Sequence, residues 1–246
     1  ASVLAMQPRA LVLDEPTSQL DPVSAEDILH LLRRLNEEMG FTVVLIEQRL
    51  DRCFHLADRV LFMEGGRIVC DGKPREVARD MGGRDYPFLP PVARFFAGLG
   101  VFPVPITVKE GREFLKAWLD RGGSSFAALA THDRVFPVGN RDTPEKAVIM
   151  QNVWYTYPHG SEALKGVDLE LKKGEFVVVL GENGAGKTTF LKHMIGVLRP
   201  DRGKVYVLGK DVGRGGYREI RGLVAYLSQN PNDYLFQDTV EGELLF

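Results

Sequence analysis

Gly181-Glu182-Asn183-Gly184-Ala185-Gly186-Lys187-Thr188 sets three glycines, a lysine and a hydroxyl within eight consecutive residues. The pattern G-x-x-x-x-G-K-[ST] suits a phosphate chain. Glycines let successive backbone N–H groups turn inward around anionic oxygens, and a helix starting behind them adds a favourable dipole. Lys187 is long enough to reach terminal phosphates, the Thr188 hydroxyl can ligate Mg²⁺, and Thr189 carries the loop into the helix. A second group is Leu11-Val12-Leu13-Asp14-Glu15, an apolar run that ends in two acids. Asp14 is suited to hold Mg²⁺ through water, and Glu15 to orient and activate an attacking water. Taken alone, such a run is more often an ordinary strand end.

The flanking sequence supplies the elements that must hold these groups. In a first region, to about residue 80, Leu11–Leu13 reads as a buried strand delivering its acids at the C-terminal edge. Asp21 reads as an N-cap with Pro22 at the first helical position. Ile28, Leu31, Leu32, Leu35 and Met39 follow at helical spacing, and Gly40 sits where the helix should stop. Phe41–Ile46 is a second buried strand. Arg59–Met63 and Arg67–Cys70 flank the turn Glu64-Gly65-Gly66. A middle region, 81–146, is broken by Pro87, Pro90, Pro91, Pro103 and Pro105, and Thr107–Glu110 has capping-box spacing before a helix. In the third region, 147–246, Phe176–Leu180 feeds the glycine loop. A helix over Lys187–Leu198 follows, with further strands at Val205–Leu208 and Val224–Leu227.

Composition bounds the reading. With 246 residues the chain can bury a sizeable α/β core, and 44% apolar with 26% charged residues is ordinary for a globular protein. A net charge of −2 argues against a nucleic-acid binder held mainly through phosphates. No apolar run reaches the ~18 residues of a membrane span. Cys53 and Cys70 have neither metal-ligand nor disulfide-framework spacing, which reads as a reducing setting. His30, His55 and His193 lack partners at metal spacing, and His132 reads as a loop histidine. The chain starts at Ala1 and runs into Thr239–Phe246 without a stop signal, so both ends read as cut from a longer polypeptide.

Leu13-Asp14-Glu15-Pro16-Thr17-Ser18-Gln19-Leu20-Asp21 resembles the Walker B and D-loop of ABC ATPases, and Gly181–Thr188 resembles their Walker A. Ser228-Gln229 after a strand is similar to their Q-loop. The resemblance implies an α/β P-loop NTPase core with a mostly parallel sheet and an antiparallel β subdomain. It implies ATP and Mg²⁺ as cofactors, with ATP held by Tyr157, Gly181–Thr188 and Thr189. Mg²⁺ falls to Thr188, Asp14 and Gln229, and catalysis to Glu15, Gln48 and Gln229. Tyr157 looks like the aromatic that stacks on adenine, although a core or turn tyrosine reads the same way.

The order is inverted, because Walker B precedes Walker A by about 170 residues. The chain therefore resembles the C-terminal half of a first ATPase domain (1–80), an inter-domain connector (81–146) and the N-terminal half of a second (147–246). Gln229-Asn-Pro-Asn-Asp-Tyr-Leu-Phe236, Thr239-Val240-Glu241, the connector's Pro90–Phe96 and Thr107–Arg112 are similar to the energy-coupling-factor importers of cobalt and vitamin type. That implies a peripheral protein on the cytoplasmic membrane face. Its expected partners are a transmembrane subunit docking near Pro231–Phe236 and a second ATPase domain. A soluble two-domain ABC protein acting on ribosomes is the alternative; it would carry a long charged helical linker, whereas Pro87–Asp120 is proline-interrupted and apolar.

Two departures bear on turnover. No LSGGQ-like signature occurs, so this stretch alone is expected to bind nucleotide without hydrolysing it. Gln48 occupies the position of the switch histidine, and a glutamine cannot become cationic or exchange a proton, so slow hydrolysis is expected of the first ATPase domain, with a glutamine that positions water adequately as the alternative. The apolar strands Leu11–Leu13, Phe41–Ile46 and Phe176–Leu180 all need parallel neighbours. The two halves are therefore expected to close into one permuted core, with a swapped dimer or separate halves as alternatives.

Overall fold

The computed structural model describes residues 8–47, 50–82, 89–120 and 145–229. The first strand, β1 (Ala10–Asp14), is buried along its whole length, as a strand covered on both faces must be. The helix α1 (Pro22–Met39) begins where Asp21 accepts hydrogen bonds from the Val23 and Ser24 N–H groups, and ends at Gly40 with φ 70°. Its buried face is Ala25, Leu29, Leu32 and Asn36. This corrects the expected stripe, since Met39 is exposed and Ile28 and Leu35 only flank the core. Next come β2 (Thr42–Ile46), the short α2 (Leu50–Cys53) with a 3-10 turn, and the hairpin β3 (Arg59–Glu64) and β4 (Arg67–Gly72).

The helices α3 (Pro74–Met81), α4 (Pro91–Gly98) and α5 (Val108–Asp120) follow. Among its described residues the connector thus forms two helices despite its prolines. Glu110 joins it to α3 by accepting from both terminal nitrogens of Arg75, at 3.1 and 2.8 Å. The spacing of Thr107 and Glu110 is used at the helix start: the Glu110 N–H donates to Thr107 Oγ1 at 3.3 Å, and the Glu110 carboxylate accepts from the Ile106 N–H at 2.9 Å.

The third region contributes β5 (Lys146–Thr156), β6 (Glu162–Lys172), β7 (Phe176–Gly181), α6 (Lys187–Met194), β8 (Arg202–Val207) and β9 (Lys210–Asp211). Two single turns of helix, α7 (Val212–Gly215) and α8 (Tyr217–Ile220), lead to β10 (Val224–Leu227). The helix α6 stops at Met194, not Leu198. Gly196 takes φ 69° there and lies against the backbone of Gly216 and Tyr217, where a Cβ would sit 2.7 Å from the Tyr217 nitrogen.

Six strands form one sheet in the order β10-β1-β2-β7-β3-β4, parallel except for β4. The third region's β7 lies between two strands of the first region, pairing Val43 with Phe176 on one side and Arg59 with Val177 on the other. The halves therefore close within one chain in permuted order. Asn36 seals the seam: its buried amide donates to the carbonyls of Phe41 and Gly174, both at 2.8 Å. Asp58 accepts the Phe176 N–H at 3.0 Å, and Thr42 Oγ1 accepts that of Gly174 at 2.9 Å. A second, antiparallel sheet, β6-β5-β8-β9, comes wholly from the third region. It packs with α6 on one face of the six-stranded sheet, while α1 and the connector helices cover the other.

Candidate functional site

The C-terminal edge of the parallel sheet gathers the chemistry. There β7 runs into the glycine loop, and glycine is required by close approach. A Cβ on Gly181 would stand 2.1 Å from the Met63 carbonyl oxygen, and one on Gly186 2.4 Å from that of Ala163. Gly186, at φ 96°, then starts α6. Glu182, Asn183, Gly184 and Thr188 are exposed along the loop rim, while Ala185, Lys187 and Thr189 are buried beneath it.

Lys187 turns its ammonium into the loop, donating to the carbonyls of Gly181 at 2.8 Å and Glu182 at 3.0 Å. Burial lowers its pKa, and the charges of Glu15 and Asp14 work against that shift. The Thr188 hydroxyl donates to Asp14 Oδ2 at 2.7 Å across 174 residues of sequence. Burial raises the Asp14 carboxyl above its ordinary range; the Thr188 hydrogen bond opposes this and the neighbouring Glu15 charge adds to it. At Glu15 the backbone sits at φ 50°, a left-handed conformation that a side chain disfavours, and its N–H is held by the Ile46 carbonyl at 3.0 Å. Gln229 Nε2 donates to Glu15 Oε2 at 2.8 Å. Lys187, Thr188, Asp14, Glu15 and Gln229 thus converge despite their inverted order.

Tyr157 lies beside this group. Its hydroxyl is 3.0 Å from Thr189 Oγ1, and its ring stacks on His159 at 5.4 Å between centroids and 14° between planes. The stack on His159, two residues away, carries no sequence signal of its own. Sequence reasoning also missed Glu47. This buried acid closes β2 and its Oε1 accepts from the Thr17 N–H at 3.2 Å and the Thr17 hydroxyl at 2.6 Å. The signal available was a charged residue directly following the apolar run Val43–Ile46. Gln48, Pro231–Phe236 and His132 lie outside the described residues. His193 is fully buried, with Nδ1 2.8 Å from the Thr189 carbonyl oxygen.

The donor set fits a magnesium–phosphate ligand. Among the described residues no three His, Cys, Asp or Glu side chains gather to hold a metal unaided. Thr188 and Asp14 offer two oxygens side by side, so phosphate oxygens and water would complete a hard, oxygen-rich shell. The buried Lys187 ammonium, held by neutral carbonyls, answers the same anion.

A glycine-rich loop between a parallel strand and a helix, facing acids on a neighbouring strand, defines a P-loop α/β nucleotide-binding fold. Residues 164–242 match the family model described as ABC transporter. A Clostridium tetani protein named "Putative ABC transporter ATP-binding protein" is 39% identical over 99% of this chain and 52% of its own length. A Methanosarcina acetivorans protein of the same name is 38% identical over 99% of the chain and 41% of its own. The chain thus spans about half the length of the curated relatives it matches. Among solved structures, "Structure of a bacterial Atm1-family ABC exporter with ATP bound" shares 19% identity at a TM-score of 0.29, covering 81% of this chain and 31% of that one. No helix among the described residues is long and apolar enough to cross a membrane.

Proposed function

We propose that the chain binds Mg-ATP at the site formed by Gly181–Thr189, Asp14, Glu15 and Gln229, and that the longer protein containing it hydrolyses ATP to power solute import. The observation that carries the reading is the Thr188–Asp14 hydrogen bond of 2.7 Å, which joins the phosphate loop to the acidic strand. Lys187 binds the β/γ-phosphates, Thr188 and Asp14 orient magnesium, and Glu15 holds the attacking water with Gln229 beside it. When bound, magnesium neutralises charge on the phosphate oxygens. Tyr157 supplies a ring for the base.

The domain assignment belongs to the same proposal: 1–80 ends a first ATPase domain, 81–146 connects, and 147–246 begins a second. Relatives about twice as long, aligned along almost the whole chain, support it. With no LSGGQ among the 246 residues, turnover takes its signature from another segment or chain. The energy-coupling-factor character, the cytoplasmic membrane face and the docking of a transmembrane subunit near Pro231–Phe236 rest on the sequence resemblance.

Lys187→Ala tests the site. Removing a buried charge partner should cost on the order of 2–4 kcal/mol of ATP binding, which is about 30- to 1000-fold in Kd. Calorimetric titration reads it, and unchanged affinity would refute the assignment.

A further inference from the structure

Glu15 is the residue from which the proposed reaction asks most, and its backbone is its weakest feature. At φ 50° it persists only where the surroundings over-determine it. The end of β2 grips it from both sides. Before the bend, the Ile46 carbonyl takes the Glu15 N–H at 3.0 Å. After it, Glu47, the residue that follows β2, takes both Thr17 donors on one carboxylate oxygen, at 3.2 and 2.6 Å. The residues that follow fold back tightly over these grips. Ser18 donates to the Glu15 carbonyl through its N–H at 3.1 Å and its hydroxyl at 2.8 Å, and the Leu20 N–H donates to the Thr17 carbonyl at 3.1 Å.

Glu47 is 5% exposed and Thr17 7%, so neither group can exchange its partner for bulk water without opening the fold. A buried carboxylate is costly unless hydrogen-bonded, which makes the Thr17 contact an ordering force, not an incidental one. Glu47 also immediately precedes Gln48, so one carboxylate ties the segment leaving the acidic strand to the entrance of the switch segment.

From this geometry we infer that Glu47 is a positioning residue for Glu15, acting through Thr17. The inference rests on the ATPase reading above. Glu47 acts through its hydrogen bonds to Thr17, which fix the backbone that aims the Glu15 carboxylate. Its loss should therefore lower the rate of the chemical step and leave ground-state binding, carried by the phosphate loop, nearly intact.

The test is ATP turnover and Mg-ATP affinity, measured separately in the full-length protein. Glu47→Ala and Thr17→Val should each lower kcat about 10- to 100-fold, the scale of a misplacement on the order of 1 Å, with Kd changed by less than about threefold. Glu47→Gln keeps the acceptor oxygen and Thr17→Ser keeps the hydroxyl, so both should restore most of the rate. The double variant should be no slower than the slower single one, because both remove the same contact. If Glu47→Ala does not fold, the Thr17 pair decides alone. Unchanged kcat, losses in kcat and affinity that run in parallel, or additive losses in the double variant would overturn the inference. A wild-type protein that binds ATP but never turns it over overturns the catalytic reading before any substitution is made.

Discussion

The two sheets are built on opposite principles. The antiparallel sheet β6-β5-β8-β9 is local, made of strands within 66 residues of one another, Lys146 to Asp211. The parallel sheet cannot form from either region alone, since β7 is inserted between β2 and β3 and β10 is added beyond β1. Local pairings form at small loop-closure cost, whereas the parallel sheet must first close the long connector, a cost that rises only slowly with length. All the proposed phosphate and magnesium chemistry sits on the sheet that needs closure. Folding of the seam and assembly of the site are therefore one event.

Deleting bulk at the seam should break this arrangement most severely. Phe176 is fully buried at the start of β7. Phe176→Ala should cost about 3–5 kcal/mol, and chemical denaturation should show both regions unfolding in one transition. Separate transitions would mean that the sheet is not shared.

The next effect sharpens the seam itself. Asn36→Ala leaves the Phe41 and Gly174 carbonyls without their 2.8 Å donors, one on each side of the junction. Losing a buried partner should cost about 1–3 kcal/mol. A loss below about 0.5 kcal/mol would class Asn36 with ordinary surface positions.

A smaller effect, of opposite sign, is expected at the site. Burial raises the Asp14 carboxyl pKa, so the folded state holds that proton more tightly than the unfolded one. Stability associated with this group is then greatest when it is protonated, and falls as pH rises from the ordinary value of 3.8 through the raised folded value. At neutral pH Asp14→Asn should stabilise the nucleotide-free protein by on the order of 1 kcal/mol, read as a higher melting temperature. The same change should remove most of the magnesium dependence of ATP affinity. Wild-type magnesium dependence should weaken as pH falls through the raised pKa. Destabilisation by Asp14→Asn with intact magnesium dependence would argue for a purely structural acid.

The legible parts of the fold were those whose physics is local. The N-cap at Asp21, the stop at Gly40, the Gly65-Gly66 turn and the glycine loop are each written in residues that touch along the chain. Permuted closure was also legible, because unbroken apolar strands such as β2 and β7 cannot be left without parallel neighbours. What escaped was polar and long-range. Asn36 is not among the residues the helical spacing singles out, because Gly174, which accepts its amide, lies 138 positions away. Glu47 reads as the end of a strand until Thr17 folds back on it. Met39 satisfies the helical period yet lies past the point where the core ends. In each case the deciding partner is set by tertiary closure, which no spacing records.

The central claim is that strands from the two regions lie side by side within a single molecule. Methyl-labelled protein tests it directly through cross-relaxation between Val44 and Val177 and between Ile46 and Val179, pairs set in register across β2 and β7. Samples mixing differently labelled molecules separate intramolecular from intermolecular contacts. The account predicts strong cross-peaks for both pairs in uniformly labelled protein and none between differently labelled molecules. Ordered strands without these cross-peaks, or cross-peaks arising only between molecules, would contradict it.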